Sequence, residues 1–282
     1  MMPVLSENII PFLKNFLNPF VFVKMLIKST SGRTLPMALL EIKNITGGYT
    51  RNPVLKDVSF EVEANEMVGL IGLNGAGKST TIKHVIGLME PQKGEIKIND
   101  RAINDDREQY RKQFTFVPET PILYDELTLE EHLKITAMAY GIEESVYKER
   151  IAQLLKEFRM EKRLKWFPAH FSKGMKQKVM IMCAFLVQPS LYIVDEPFVG
   201  LDPLGIQSLL DLMSKMKENG AGILMSTHIL ATAERYCDRF VILHEGAVRA
   251  KGTLKELQTQ FGMPGATLDD LYIQLTEEED YV

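Results

Sequence analysis

Apolar residues alternate with polar ones in two early runs, Leu40 with Ile42 and then Val58, Phe60 and Val62, separated by Gly47-Gly48. A period of two predicts strands with one buried face, and the glycine pair predicts a turn that lets them pair antiparallel. Ile96 and Ile98 repeat the pattern before an Asn99-Asp100 turn. A different signal comes from residues 67–71, 191–194, 223–225 and 240–243, which are apolar almost without interruption. Such runs suit parallel strands covered on both faces. Between about residues 125 and 188 the period becomes helical. Thr128 and Glu131 form a capping-box pattern ahead of Leu129, Leu133, Ala137 and Tyr140 on one face, and Ile151, Leu154, Leu155 and Phe158 repeat the spacing. Leu209, Leu212, Met213 and Met216 predict a further amphipathic helix. The chain therefore reads as an α/β core with an antiparallel β region and a helical subdomain at about 125–188, without internal repeats.

Composition narrows this further. With 45% hydrophobic residues in 282, a substantial core can be buried. A net charge of -4 and a pI near 5.8 argue against a nucleic-acid surface. Cys183 and Cys237 lack C-x-x-C or His-rich surroundings, so buried, reduced thiols are expected rather than a zinc site, as suits the cytosol. Residues 1–38 read as an N-terminal extension. Its apolar part, residues 9–27, is interrupted by Lys14, Asn15, Asn18, Pro19 and Lys24, which opposes a membrane span, and no small-residue cleavage site follows. Three readings stay open: a cationic segment that binds a membrane surface or partner, a disordered leader, or an upstream start codon. Met37, just before the first strand, favours the last. Residues 277–280 read as a solvated acidic tail.

Candidate chemistry centres on Gly72, Leu73, Asn74, Gly75, Ala76, Gly77, Lys78, Ser79 and Thr80, which lie between an apolar strand and a helical segment. Glycines there allow consecutive N–H groups to turn inward around phosphates at a helix N-terminus, which predicts an ATP or GTP site. Lys78 is expected to neutralise the terminal phosphates, Ser79 to offer its hydroxyl to Mg2+, and Thr80 to support the phosphates more weakly. The strand at 191–194 runs into Asp195-Glu196-Pro197, placing two carboxylates at its carboxyl end, where α/β sheets bind ligands. Asp195 is expected to hold Mg2+ and Glu196 to polarise the attacking water. Taken alone, Ser172 is a helix N-cap, and Asp202-Pro203 is an N-cap followed by proline at the first helical position.

The order of these features resembles the ABC transporter ATPases: phosphate loop, helical insert, Ser172-Lys173-Gly174 helix start, strand with Asp195-Glu196, then Gly200-Leu201-Asp202 and Ser226-Thr227-His228. The likeness covers nearly the whole chain from Leu39, and implies the P-loop NTPase fold of that family over residues 39–282. It also implies roles. Ser172 and the Gly174 backbone would contact the γ-phosphate of ATP held by a second copy, Asp202 would signal between the two sites, His228 would reach the γ-phosphate as a switch histidine, and Tyr49 would stack on adenine, with strand packing as the alternative for Tyr49. Where the family usually has Gln, the loop from the core into the helical insert has Phe116-Val117-Pro118-Glu119. Glu119 can still approach Mg2+ or its water, but adds negative charge beside the triphosphate. Lys173 and Met175 replace a usual glycine and glutamine, and Leu73 replaces a common proline.

Residues 118–133 and 163–178 more closely resemble the ATPase subunits of bacterial Ecs-type exporters. That resemblance implies an integral membrane subunit of the EcsB kind, a peripheral place on the cytoplasmic face of the cell membrane, and export linked to protein secretion or peptide processing. The groove near residues 119–127 is the expected docking place. Trp166 and Phe167 are read as core residues, with partner contact as the alternative. The competing reading is a soluble ABC-class ATPase without a transport role, but neither tandem domains nor a long heptad-patterned insert occurs. Nor is there an N-K-x-D guanine-reading motif.

Overall fold

The computed structural model describes residues 38–277. The expectations for residues 1–37 and for the acidic tail's side chains lie outside the described residues.

Strands β1 (Leu40–Gly47) and β2 (Leu55–Val62) pair antiparallel, with Leu40, Ile42, Val58, Phe60 and Val62 buried as the alternation predicts; Ile45 and Leu55, out of step with it, are buried where the pairing register shifts. The chain then leaves this sheet for β3 (Met67–Ile71), all five residues of which are buried, and for helix α1 (Lys78–Val85). It returns through β4 (Lys93–Ile98) and β5 (Arg101–Ala102), giving a first sheet of order β2-β1-β4-β5. A short helix α2 (Arg107–Arg111) leads to β6 (Phe114–Val117).

The helical stretch comprises α3 (Leu129–Ala139), α4 (Glu144–Phe158) and α5 (Lys173–Val187). Thr128 and Glu131 make the reciprocal capping box, with Glu131 Oε2 accepting from the Thr128 N–H at 2.7 Å. After β7 (Leu191–Asp195) come α6 (Pro203–Glu218), β8 (Gly222–Thr227), α7 (Leu230–Tyr236), β9 (Arg239–His244), β10 (Ala247–Gly252), α8 (Leu254–Gln260) and α9 (Leu268–Glu277). The second sheet has the order β10-β9-β3-β8-β7-β6, parallel throughout except for β10 at one edge. Phe116 and Val117, read from sequence as loop, belong to edge strand β6, because they pair with Ile193 and Val194 of β7. The loop starts only at Pro118.

Apolar side chains form three clusters. One lies between the two sheets and around α1, and a second joins the helical stretch to α6 and to β7 and β8. The third lies under α8 and α9. Cys183 and Cys237 are free and half-buried, and burial pushes their thiols up to about 11 and about 12. Trp166 and Phe167 depart from the core reading: they are 39% and 41% exposed. They sit in the turn between α4 and α5, whose backbone is already tied to α3, so their side chains stay outside the packed layer.

Besides that apolar layer, the two sheets meet backbone to backbone at a turn. Gly246, between β9 and β10, has φ +78, donates its N–H to Ala76 O at 3.0 Å and accepts from the Lys56 N–H at 2.7 Å. A Cβ there would lie 1.7 Å from Val54 O, inside any tolerable contact. Gly246 thus lets the second sheet, the loop before α1 and strand β2 meet backbone to backbone. Gly262 also has a positive φ, +65, but no atom within 4 Å of a built Cβ. Gly262→Ala should cost about 1–2 kcal/mol from the left-handed conformation alone, and Gly246→Ala roughly 2 kcal/mol more, because backbone must move. Denaturant melts of the two variants decide this, and equal losses would show that the close approach carries no weight.

Candidate functional site

Three strand ends build the site. β3, β7 and β8 lie side by side and parallel, so Ile71, Asp195 and Thr227 close the same edge of the sheet. From β3 the chain enters the glycine-rich loop at Gly72 and turns into α1 at Lys78. The N-cap, Gly77, has φ 108 and no side-chain capping bond, which leaves the first N–H groups of α1 available to an anion.

Lys78 is buried and bent back over its own loop. Its Nζ donates to Gly72 O at 2.8 Å and Leu73 O at 3.3 Å, and lies 3.4 Å from Glu196 Oε1. Glu196 is reached through an unusual backbone. Its φ of +44 is left-handed, a conformation costing on the order of 1–3 kcal/mol, and its N–H is held by Ser226 Oγ at 3.0 Å and Ser226 O at 3.2 Å. That kink sends one carboxylate oxygen to Lys78 and the other to His228, whose Nδ1 is 2.8 Å away and whose backbone N–H donates at 3.3 Å. Buried Glu196 is thus clamped between a cation and an imidazole. Glu196 Oε1 makes no hydrogen bond, so the ion pair with Lys78 is its sole polar partner among the described residues.

Asp195 precedes that kink and has other partners. Its Oδ1 accepts from Ser226 Oγ, and from Ser79 Oγ at 3.4 Å. Burial raises the Asp195 carboxyl above the usual carboxylate range, against the pull of the Ser226 and Ser79 hydroxyls, while the charges of Glu196 and Glu119 push the same way as burial. A buried carboxylate destabilised in this way, with a serine hydroxyl beside it, suits a hard divalent cation completed by substrate oxygens and water. Among the described residues no cluster of three or more His, Cys, Asp or Glu forms a cage by itself. Glu119 is exposed at the start of the loop after β6 and makes no hydrogen bond or ion pair to Ser79 or Asp195.

Tyr49 stands just beyond β1, 62% exposed, with its hydroxyl accepting from Lys83 Nζ at 2.9 Å. Bonds from Lys83 and Thr80 lower its phenol pKa. Strand packing is therefore not its role; the ring lies against α1, with Lys83 Nζ 5.1 Å from its centroid.

Ser172, Gly174 and Asp202 form a second group, with no hydrogen bond or ion pair to the phosphate loop of the same chain among the described residues. Ser172 caps α5, accepting from the Met175 N–H at 3.2 Å. Gly174 has no room for a side chain, since a Cβ would lie 2.3 Å from Gly200 O. Asp202 occupies the N-cap position of α6 but makes no capping bond; its carboxylate turns to Lys178 Nζ at 2.9 Å, which lowers its pKa. The start of α5 and the segment before α6 are thereby fastened together.

Sequence reading assigned no role to Ser226, Lys178, Gln177 and Tyr272. Ser226 ties Asp195 to the kink at Glu196, and its signal was the β7–β8 register, which only the fold supplies. Buried Gln177 donates to Pro118 O at 3.1 Å and fixes the start of the Glu119 loop. Tyr272, from the far end of the chain, accepts from the Leu73 N–H at 3.0 Å.

A family model described as ABC transporter matches residues 55–199. The chain is 68% identical over 243 residues to the ABC-type transporter ATP-binding protein EcsA of Bacillus subtilis, spanning 86% of this chain and 98% of that protein. A solved ATP-binding subunit of an ABC transporter shares 66% identity with a TM-score of 0.83, over 84% of this chain and 99% of that one. A second solved relative, an ATP-binding cassette in a dimeric post-hydrolysis state bound to ADP and Pi, shares 26% identity with a TM-score of 0.69, over 76% of this chain and 98% of its own.

Lys78→Ala removes the ammonium that Gly72 O and Leu73 O hold. ATP affinity measured by calorimetry should fall about 10- to 100-fold, the worth of one or two charge-assisted hydrogen bonds. Unaltered affinity would place the phosphates elsewhere.

Proposed function

The chain belongs to the ABC transporter family as an ATP-binding, ATP-hydrolysing subunit, and on that premise we propose that it drives an Ecs-like exporter linked to protein secretion or peptide processing. The observation that carries the catalytic part is the clamp on Glu196, with Lys78 on one oxygen and His228 on the other. Without nucleotide, Lys78 neutralises Glu196. A triphosphate in the glycine loop competes for that ammonium, and Glu196 Oε1 is then free to accept a proton from the water that attacks the γ-phosphorus. His228 holds the other carboxylate oxygen in place through Nδ1, leaving Nε2 for the γ-phosphate. Ser79 and Asp195 are the residues suited to hold Mg2+, with exposed Glu119 contributing through water. Mg2+, when bound, supplies charge neutralisation across the phosphate oxygens. Thr80 supports the loop, and Tyr49 stacks on adenine.

Ser172, the Gly174 backbone and Asp202 complete the site of a second copy in an ATP-sandwiched dimer. The support is that no hydrogen bond or ion pair joins them to their own phosphate loop among the described residues, together with the helix N-terminus that Ser172 caps. Among the described residues no helix is long and apolar enough to cross a membrane. We place the chain on the cytoplasmic face of the cell membrane beside an EcsB-like integral subunit, and take residues 39–282 as the nucleotide-binding domain, with a helical subdomain at about 125–188. The docking groove is the loop after Glu119. There Ile122 and Tyr124 are 78% and 69% exposed, while the Tyr124 backbone N–H is pinned to His132 Nε2 at 3.0 Å. A fixed backbone with two exposed apolar side chains suits a partner helix. The reading as a soluble ATPase without a transport role draws no support from the relatives.

Glu196→Gln should keep ATP affinity within a few fold and lower turnover by at least ~100-fold; with ATP present, size-exclusion chromatography should then show dimers. Near-normal phosphate release would assign the proton acceptor to another residue. In coexpression with the membrane subunit, Tyr124→Ala should reduce recovery of the chain in membranes while leaving its ATP binding intact. Full recovery, together with an intact Leu127→Ala variant, would move the docking groove elsewhere.

A further inference from the structure

The turn that carries Trp166 takes no part in the nucleotide site. Residues 159–167 leave α4, pass through the 3-10 turn Glu161–Arg163 and run back past the start of α3. In a chain of net charge -4, this run holds Arg159, Lys162, Arg163 and Lys165 against the single acid Glu161. Arg159, Lys162 and Lys165 are exposed, and none of the three is ion-paired among the described residues. Two backbone bonds from α3 pin the run, from the Leu129 N–H to Trp166 O at 3.1 Å and from the Glu130 N–H to Leu164 O at 2.8 Å. The charges therefore sit on fixed backbone.

Arg159, Glu161, Lys162 and Arg163 line a concavity of about 310 Å³. Arg163 stacks its guanidinium over the Trp166 ring, 3.9 Å from the centroid. Stacking keeps that planar donor set oriented without an acidic partner, the arrangement in which Arg meets phosphate oxygens in pairs. Trp166 and Phe167 remain well exposed beside it. Aromatic rings next to basic side chains match the interfacial zone of a bilayer, where rings lie at headgroup level and ammonium or guanidinium groups meet anionic headgroups.

We propose that residues 159–167 form a membrane-contact surface that binds the phosphate groups of anionic phospholipids, with Trp166 and Phe167 inserted at headgroup depth. The surface is built from a different segment than the groove at 119–127 and orients the subunit against the bilayer while that groove engages the partner. From the proposed function it takes only that the subunit works beside a membrane.

Trp166 is the sole tryptophan of the chain, so its emission reports on this surface alone. Full-length protein is titrated with vesicles of phosphatidylglycerol and phosphatidylcholine in equal parts, and with vesicles of phosphatidylcholine only, without nucleotide or membrane subunit. The mixed vesicles should shift Trp166 emission to the blue, and brominated acyl chains in them should quench it; phosphatidylcholine vesicles and soluble glycerol phosphate should do neither. Reversal of three charges (Arg159→Glu, Lys162→Glu, Lys165→Glu) should weaken the response on the order of a hundredfold, with basal ATPase activity unchanged. Lys162→Glu alone, expected to weaken it by roughly fivefold or more, serves if the triple variant loses ATPase activity. Cosedimentation with unchanged Trp166 emission, an equal response to phosphatidylcholine, or a charge-reversed protein that responds like wild type would each overturn the proposal. Because the titration omits ATP and the membrane subunit, its failure would leave the reading as a transporter ATPase standing.

Discussion

A buried ammonium held among carbonyls and one carboxylate organises this molecule. Lys78 has left water for Gly72 O, Leu73 O and Glu196, and an unpaired charge at such depth would cost several kcal/mol. The loop must therefore keep its carbonyls turned inward, and Glu196 must keep its left-handed kink. Ser226 supplies the kink's support from the neighbouring strand, which makes the parallel register of β7 and β8 part of the site. Sheet geometry and site chemistry are thus one constraint.

The same loop is held from outside by distant chain segments. Gly246 meets Ala76 by a backbone bond, Tyr272 receives the Leu73 N–H, and β2 reaches the same turn through Lys56. None of these contacts supplies chemistry. They fix the curvature of a glycine-rich segment that has little conformational preference of its own.

Separate anchoring of the second group has a mechanical consequence. Gly174 against Gly200 O and Lys178 with Asp202 bind the start of α5 to the segment before α6, and that segment follows directly from Glu196 and Pro197. The α5 N-terminus is thereby fastened, through residues 200–202, to the segment that leaves the strand end bearing the two carboxylates. Gln177 adds a further link, from α5 to the loop at Pro118 and Glu119. These two connections add polar links to the apolar cluster that already joins the helical stretch to α6, β7 and β8.

Local pattern alone determined the elements with a strong period. The alternation of β1, β2 and β4, the apolar runs of β3, β7, β8 and β9, and the capping box of α3 follow from which side chains can be buried and from one side-chain bond. So did the identity of the glycine loop and of the Asp195-Glu196 pair, because consecutive residues write them. Edge strand β6 escaped notice, being four residues long with polar Thr115 inside it, and acquires its character only by pairing with β7. Ser226, Lys178 and Tyr272 were illegible for the same reason: a serine, a lysine and a tyrosine state no partner until segments from 24 to 199 residues away are brought beside them. Trp166 and Phe167 were read inward from hydrophobicity, yet the backbone bonds that hold their turn to α3 leave the rings outside. Sequence fixes what each segment prefers to bury, whereas contacts between segments remote in the chain decide which charges share a site, since that depends on register and packing and not on composition.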